Sequence, residues 1–184
     1  MKTLYILIGS FLILSCGSSK DLDATSNETL NEWIHSKQYH IESTYALPFN
    51  STAVSAVLNS TVLGPGINSS QISLIGNPNY LKIDGDSIHA DLPYFGERRM
   101  GGAYNSRETG VTVDGLLNDY SVETKKGMYI IKFSARDTQG IENYNFILNL
   151  SPSLNASISV QSTQRTTIQY RGRVEALEPE SEND

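Results

Sequence analysis

The stretch YLKIDGDSIHADL, residues 80–92, decides the fold of this chain. Apolar and polar residues alternate on both sides of the central DGD, and this period of two is typical of a strand with one buried face. The DGD triplet supplies Gly and Asp residues, which favour a tight turn. The stretch therefore predicts a β-hairpin with Leu81 and Ile83 on one strand and Ile88 and Leu92 on the other.

The same alternation recurs toward the C-terminus. Apolar residues at every second position indicate further strands at Val111–Val113, Tyr129–Ala135, Tyr144–Leu150, Ala156–Val160 and Thr166–Tyr170. About eight short strands with turn signals between them predict an all-β fold, an antiparallel meander. The apolar face of such a sheet must be buried, so the sheet either curls as an open barrel or folds over as a sandwich. The sequence does not distinguish between these two architectures.

One segment has a helical period. The sequence SNETLNEWIHSK, residues 26–37, places Leu30, Trp33 and Ile34 on one stripe, with acidic residues in the first turn. A helix this short is marginal alone, so we expect one short N-terminal helix that docks on the β domain.

The N-terminus resembles an export signal followed by a lipid attachment site. In MKTLYILIGSFLILSC, Lys2 precedes an apolar run from Tyr5 to Leu14, which is shorter than the roughly 20 residues that cross a bilayer. The run leads to Cys16, the only cysteine in the chain. This order resembles a bacterial lipobox, in which the cysteine receives acyl chains after cleavage. The alternative is an ordinary signal peptide with an unmodified Cys16.

These features predict the organisation of the chain. We expect a signal peptide at 1–15, a lipidated tether at 16–25, a single β domain at 26–175 and an acidic disordered tail at 176–184. The anchor would hold the protein in the bacterial cell envelope, at the outer membrane. With 14 basic and 20 acidic side chains the net charge is −6, which disfavours a nucleic acid partner.

The stretch DLPYFGERRMGGAY, residues 91–104, holds the candidate binding residues. Its proline ends a strand and its glycines favour a turn, so one interpretation is purely structural. The other is a binding lip, because arginines on an exposed loop suit an anionic ligand. The candidate ligand contacts are Tyr94, Arg98, Arg99 and Tyr104.

Catalytic and metal chemistry have weaker support. Ser87, His89 and Asp91 share one strand face, but successive positions on a face lie about 6.6 Å apart, beyond the roughly 3 Å that a nucleophile and its base need. The sequence contains no HExxH motif, cysteine cluster or complete calcium loop, so no metal or cofactor is expected. No catalytic residue is assigned. An envelope hydrolase with a site near His89, Asp91 and Glu97 is the alternative function.

The segments YLKIDGDSIHADLPYFG, residues 80–96, and IQYRG, residues 168–172, resemble a family of Bacteroidetes lipoproteins known as domain of unknown function 4251. The likeness covers roughly residues 30–175, and its hallmarks are Tyr80, the strand end Leu92–Gly96 and the closing strand Ile168–Gly172. Residues 50–79 and the basic GERRMGG depart from the pattern. The resemblance implies a lipid anchor and an all-β body, and it brings no catalytic residues.

We therefore expect a lipid-anchored, non-enzymatic binding or interaction module for an unknown ligand or envelope protein. A purely structural envelope protein is a third possibility. The triplet DSI, residues 86–88, resembles a Bacteroidetes O-glycosylation motif and makes Ser87 a candidate for modification.

Overall fold

The fold was obtained as a computed structural model, which describes residues 23–49, 56, 70–99 and 110–178. The predictions for residues 1–22, among them Cys16, and for residues 179–184 lie outside this part of the chain. Helix α1 spans Asp23–Ser36. The strands are β1 (Gln38–Pro48), β2 (Ile72–Ser73), β3 (Tyr80–Asp84), β4 (Ser87–Leu92), β5 (Val111–Leu116), β6 (Asn118–Lys125), β7 (Met128–Arg136), β8 (Asn143–Leu150), β9 (Asn155–Gln161) and β10 (Ile168–Ala176).

The described strands form one antiparallel sheet. Nine of them follow the order β5-β4-β3-β1-β10-β9-β8-β7-β6, and β2 pairs with β1 off this path. The sheet curls into a nearly closed barrel. The predicted all-β antiparallel fold with one short helix is confirmed, and the architecture is the barrel.

The barrel is nearly closed by a bend in the chain. Only Leu117 separates β5 from β6, although these strands form the two edges of the sheet. The backbone N–H of Thr138, after β7, also donates to the carbonyl oxygen of Thr112 on β5 at 3.3 Å. The two edge strands of the sheet are therefore joined through Leu117, which brings the edges together.

The predicted β3–β4 hairpin is confirmed. Ile83 pairs with Ile88, and both side chains are completely buried. Gly85 occupies the two-residue turn at a φ of +58°, in the left-handed region that favours glycine. The alternating pattern thus directs one face of each strand into the barrel.

Helix α1 packs at the barrel end where β1 begins. Leu30 and Ile34 are buried in the core, and Trp33 is partly buried against it. The phenol of Tyr129, at the start of β7, donates to Asn31 Oδ1 at 3.2 Å. The helix begins before the predicted residue 26, because the apolar stripe that indicated it covers only its second half.

A bulge shapes β1 opposite β10. The pairing register shifts between Ser43 and Tyr45, and a Cβ atom on Gly172 would overlap the carbonyl oxygen of Glu42. The side chain of Asn79 secures the bulge by accepting from the Ser43 N–H at 3.0 Å and donating to the Ser43 carbonyl at 2.8 Å. Gly172 is therefore required where the two backbones meet.

Candidate ligand-binding site

The chain after β4 is tied to the loop between β9 and β10. The hydroxyl oxygen of Tyr94 lies 2.9 Å from the carbonyl oxygens of both Glu97 and Thr166. The backbone N–H of Glu97 donates to Thr166 Oγ1 at 3.0 Å, and the N–H of Thr166 donates to the Glu97 carbonyl at 2.9 Å. We refer to Tyr94, Gly96, Glu97 and Thr166 as the Tyr94 clasp.

The clasp depends on a close approach at Gly96. A Cβ atom there would lie 2.6 Å from Thr166 Oγ1 and would overlap the Tyr94 hydroxyl. Any larger residue would therefore push Tyr94 away from its partners. The described part of the candidate binding segment, which ends at Arg99, is thus held in place by the fold.

A buried ion pair lies beneath the clasp. Arg165 Nε is 2.8 Å from Glu142 Oε2, and both side chains are almost completely buried. Arg165 Nη1 also donates to the carbonyl oxygen of Gly110 at 2.8 Å. The guanidinium carbon lies 5.1 Å from the Tyr94 ring centre and 5.5 Å from that of Tyr144, which favours the cation further.

The remaining contacts of Glu142 complete this network. The Tyr144 hydroxyl donates to Glu142 Oε2 at 3.0 Å, and the Ser162 hydroxyl donates to Glu142 Oε1. Burial raises the pKa of the Tyr144 phenol far above its usual range, although the Arg165 charge opposes the shift. Burial likewise raises the pKa of Tyr94. Both phenols stay neutral, so these residues act as structural hydrogen-bond partners.

Arg99 lies beside an open depression on the outer surface. Its backbone N–H donates to the Gln164 carbonyl at 2.7 Å, which fixes the position of the residue. The depression has a volume of about 360 Å³, and we call it the Arg99 depression. The described residues that line it are Phe49, Arg99, Ser159, Gln161, Thr166, Thr167 and Gln169.

The chemistry of the Arg99 depression suits a polar, anionic ligand. Among the described residues, no carboxylate pairs with the Arg99 guanidinium. Hydroxyl and amide side chains supply further donors and acceptors, and the Phe49 ring, 58% exposed, offers an apolar surface. A guanidinium binds a carboxylate through two parallel hydrogen bonds, so Arg99 can orient such a ligand.

The other described candidate residues do not line the Arg99 depression. Arg98 is exposed and pairs with Arg165 through its backbone, but it does not line the Arg99 depression. The Tyr94 hydroxyl is bound in the clasp, and its role as a ligand contact stays a prediction. Tyr104 lies outside the described residues. Ser87 is partly exposed on β4, and its modification stays a prediction.

The residues named for the hydrolase alternative do not converge. His89 is on the outer surface, with its side chain 46% exposed, and its Nδ1 lies 3.0 Å from Asp114 Oδ1. Asp91 is exposed on the same strand, whereas the backbone of Glu97 belongs to the clasp beyond the end of β4. Neither His89 nor Asp91 lines the Arg99 depression. Of the described residues, His89 and Asp114 therefore pair on the outer face of the sheet, away from the Arg99 depression.

Phe49, Ser159 and Gln169 were missed from the sequence. Ser159 and Gln169 belong to the polar faces of alternating strands, so their outward direction was evident. Their proximity to Arg99 depends on the pairing of β9 with β10 and on the Arg99–Gln164 hydrogen bond. The alternation of polar and apolar residues within one strand predicts neither this strand pairing nor this hydrogen bond.

Metal ligation and membrane crossing by helices were also considered. Across the ranges that the structure describes, no group of three or more His, Cys, Asp or Glu residues could hold a metal ion. Among these same residues, every helix is too short or too polar to span a bilayer.

Fold and site together define a small, nearly closed antiparallel barrel with a helix at one end and a polar depression on its outer surface. The chain belongs to the family described as Domain of unknown function (DUF4251), whose sequence profile matches residues 21–174. No curated protein matches the chain.

A crystal structure of a DUF4251 family protein from Bacteroides eggerthii is similar to this fold. The two share 16% sequence identity with a TM-score of 0.57, and the match covers 84% of this chain and 89% of the other. At this identity the likeness concerns the fold alone.

Proposed function

We propose that this protein is a lipid-anchored, non-enzymatic binding module of the bacterial cell envelope that takes an anionic ligand at the Arg99 depression. The observation that carries the binding role is the Arg99 guanidinium, which lines an open polar depression without an ion-pair partner among the described residues. The Bacteroides protein of the same family supports a Bacteroidetes source. The export signal and the cysteine that follows it, residues 1–16, support the cell envelope as the setting.

The C-terminal end of α1 and the Arg99 depression lie at opposite ends of β1. Cys16 precedes the start of α1 at Asp23 by seven positions, and α1 packs where β1 begins. Seven extended residues span at most about 25 Å. The Arg99 depression includes Phe49, directly after the end of β1. A lipid on Cys16 would therefore tether the chain through the segment that leads into α1, and the Arg99 depression lies at the other end of β1.

The anchor is tested by replacing Cys16 in the full chain. Cys16→Ser removes the thiol that would carry an acyl chain, so the variant should lose incorporation of labelled palmitate and leave the membrane pellet. Ser18→Ala, which keeps the cysteine, should behave as the wild type. Normal processing and membrane retention of Cys16→Ser would overturn the anchor.

The site is tested with galacturonate as a carboxylate-bearing probe and galactose as its neutral counterpart. Galacturonate should shift the backbone amide signals of Thr167 and Gln169 in nuclear magnetic resonance spectra, and Arg99→Ala should abolish these shifts. Arg98→Ala is the matched control, because it removes a neighbouring guanidinium that does not line the depression. Equal shifts with galactose, or unchanged shifts in Arg99→Ala, would overturn the proposed site.

A further inference from the structure

A second depression lies on the outer surface of the same strands. Its volume is about 450 Å³. The described residues that line it are Thr44, Met128, Asn149, Ser151, Asn155, Ala156, Ser157, Arg171, Gly172 and Arg173. The lining residues include side-chain amides, hydroxyls and two guanidiniums, but the surface that they present to the depression is mainly apolar.

The two depressions follow each other along the β9–β10 ladder. Ser157 pairs with Arg171 in the second depression, and Ser159 pairs with Gln169 in the Arg99 depression. These are successive outward-facing pairs, so their rows are separated by about 7 Å, twice the rise per residue. We refer to the two depressions and the strand surface between them as the β9–β10 trough, which extends over about 20 Å from Asn155 to Gln161.

Positive charge lies at both ends of the trough. Arg99 is at one end, and Arg171 and Arg173 are at the other. No ion pair joins any of these three guanidiniums to a carboxylate of the described residues. Two acidic neighbours lie beside Arg173: Glu42 is paired with it across the β1–β10 ladder, and Glu175 follows it on the same face of β10. On a chain with a net charge of −6, three such cations along one trough favour a ligand with several negative charges.

The position of β9 and β10 inside the sheet indicates which class of ligand the trough can bind. Both β9 and β10 have a neighbour on each side, so their backbone donors and acceptors are used within the sheet. A peptide strand binds by pairing with a free sheet edge, which this surface lacks. An extended acidic sugar chain can bind to the guanidiniums, amides and hydroxyls along the trough, and its apolar ring faces suit the mainly apolar surface of the second depression and the exposed Phe49.

We propose that the β9–β10 trough binds a linear acidic oligosaccharide along its length. Arg99 takes a carboxylate at one end, and Arg171 and Arg173 take carboxylates at the other. This inference rests on the proposed binding role of Arg99 and extends it to a ligand class and a second contact region.

The test is calorimetric titration of the full chain with hexagalacturonate, galacturonate and the neutral cellohexaose. Hexagalacturonate should bind at least tenfold more tightly than galacturonate, and its affinity should fall as salt is raised. Arg171→Ala with Arg173→Ala should weaken hexagalacturonate at least tenfold, which is a larger loss than the same variant causes for galacturonate. Arg136→Ala, an exposed arginine away from the trough, is the control, and thermal melting shows that each variant is folded.

The outcomes separate this inference from the proposed function. If Arg99→Ala weakens both acidic ligands while the double variant binds hexagalacturonate normally, the second contact region is wrong and the Arg99 site survives. If Arg99→Ala changes neither affinity, the proposed function itself fails. Binding of cellohexaose or of an oligoglutamate peptide as tightly as hexagalacturonate would overturn the acidic sugar as the ligand.

Discussion

The phenol of Tyr170 donates a hydrogen bond of 3.0 Å to the carbonyl oxygen of Pro93, which lies 77 positions earlier in the chain. Tyr170 is completely buried in the core, and Pro93 directly follows β4. The two residues belong to IQYRG and LPYFG, the segments by which the sequence resembles its family. These hallmarks therefore meet in space and secure the fold of the barrel.

Tyr170→Phe should lower the free energy of unfolding by about 1–2 kcal/mol. The variant keeps the ring in the core but removes the donor to the partly buried Pro93 carbonyl, and the loss of such a hydrogen bond has a cost of this size. Urea denaturation measures the change. Tyr45→Phe, on the outer side of β1, is the control and should stay within about 0.5 kcal/mol of the wild type. Equal midpoints for both variants would show that the bond contributes nothing.

Gly172→Ala should destabilise the protein by about 2–3 kcal/mol, because its methyl group would overlap the Glu42 backbone at the bulge. Backbone atoms cannot move aside as a flexible side chain can. Gly115→Ala is the matched control, since nothing lies within 4 Å of the added carbon. Thermal and urea unfolding of both variants provide the comparison, and a harmless Gly172→Ala would contradict the close approach.

The hairpin was predictable from the sequence because its determinants are local. The alternation around Ile83 and Ile88 sets the buried face, and the turn at Gly85 fixes the register of the two strands. The barrel was not predictable, since it depends on the bend at Leu117 between strands at opposite sheet edges. The periodic pattern within one strand does not indicate which strands lie at the two edges of the sheet.

The candidate site was predictable only in part. Adjacent arginines in a glycine-rich segment indicated binding, but Arg98 and Arg99 looked equivalent. The hydrogen bond between the Arg99 N–H and the Gln164 carbonyl distinguishes them, because it places Arg99 beside the outer face of β9 and β10. Likewise Tyr94 was a candidate ligand contact, and its sequence position did not reveal that its hydroxyl donates within the clasp to Glu97 and Thr166.

Arg165→Ala should destabilise the protein by about 3–5 kcal/mol. The substitution leaves the Glu142 carboxylate buried without its cation, and such a charge is far more costly than the pair is favourable. The double variant Arg165→Met with Glu142→Leu should lose less stability than Arg165→Ala. Chemical denaturation of both variants, with exposed Arg136→Ala as reference, makes the measurement. A single variant within about 1 kcal/mol of the wild type would contradict the importance of the buried pair.

The β6–β7 turn stores local strain that a substitution should relieve. Lys126 and Gly127 adopt φ angles of 53° and 76°, as a two-residue hairpin turn of type I′ requires. Lys126→Asn should stabilise the protein by about 0.5 kcal/mol, since Asn tolerates this region better than Lys. Gly127→Ala should destabilise it by about 1–2 kcal/mol. Melting temperatures that move in the same direction for both variants would contradict this assignment.

His40 should make stability fall in mild acid. Burial lowers the pKa of its imidazole, the neighbouring Lys82 lowers it further, and Glu175, Glu42 and Glu178 oppose the shift. The folded state therefore binds the proton less tightly than the unfolded chain. The contribution of His40 is complete above the unfolded pKa of about 6.5 and is lost as the pH falls toward the lower folded pKa.

Urea unfolding of the wild type and of His40→Gln between about pH 7 and pH 5 tests this dependence. The wild type should lose more stability over this interval than the variant, which cannot bind the proton at this position. A nuclear magnetic resonance titration of the His40 ring provides an independent check, and its midpoint should lie below 6.5. A midpoint above that value would mean that the surrounding glutamates outweigh burial and Lys82, and the wild type would then gain stability relative to His40→Gln as the pH falls.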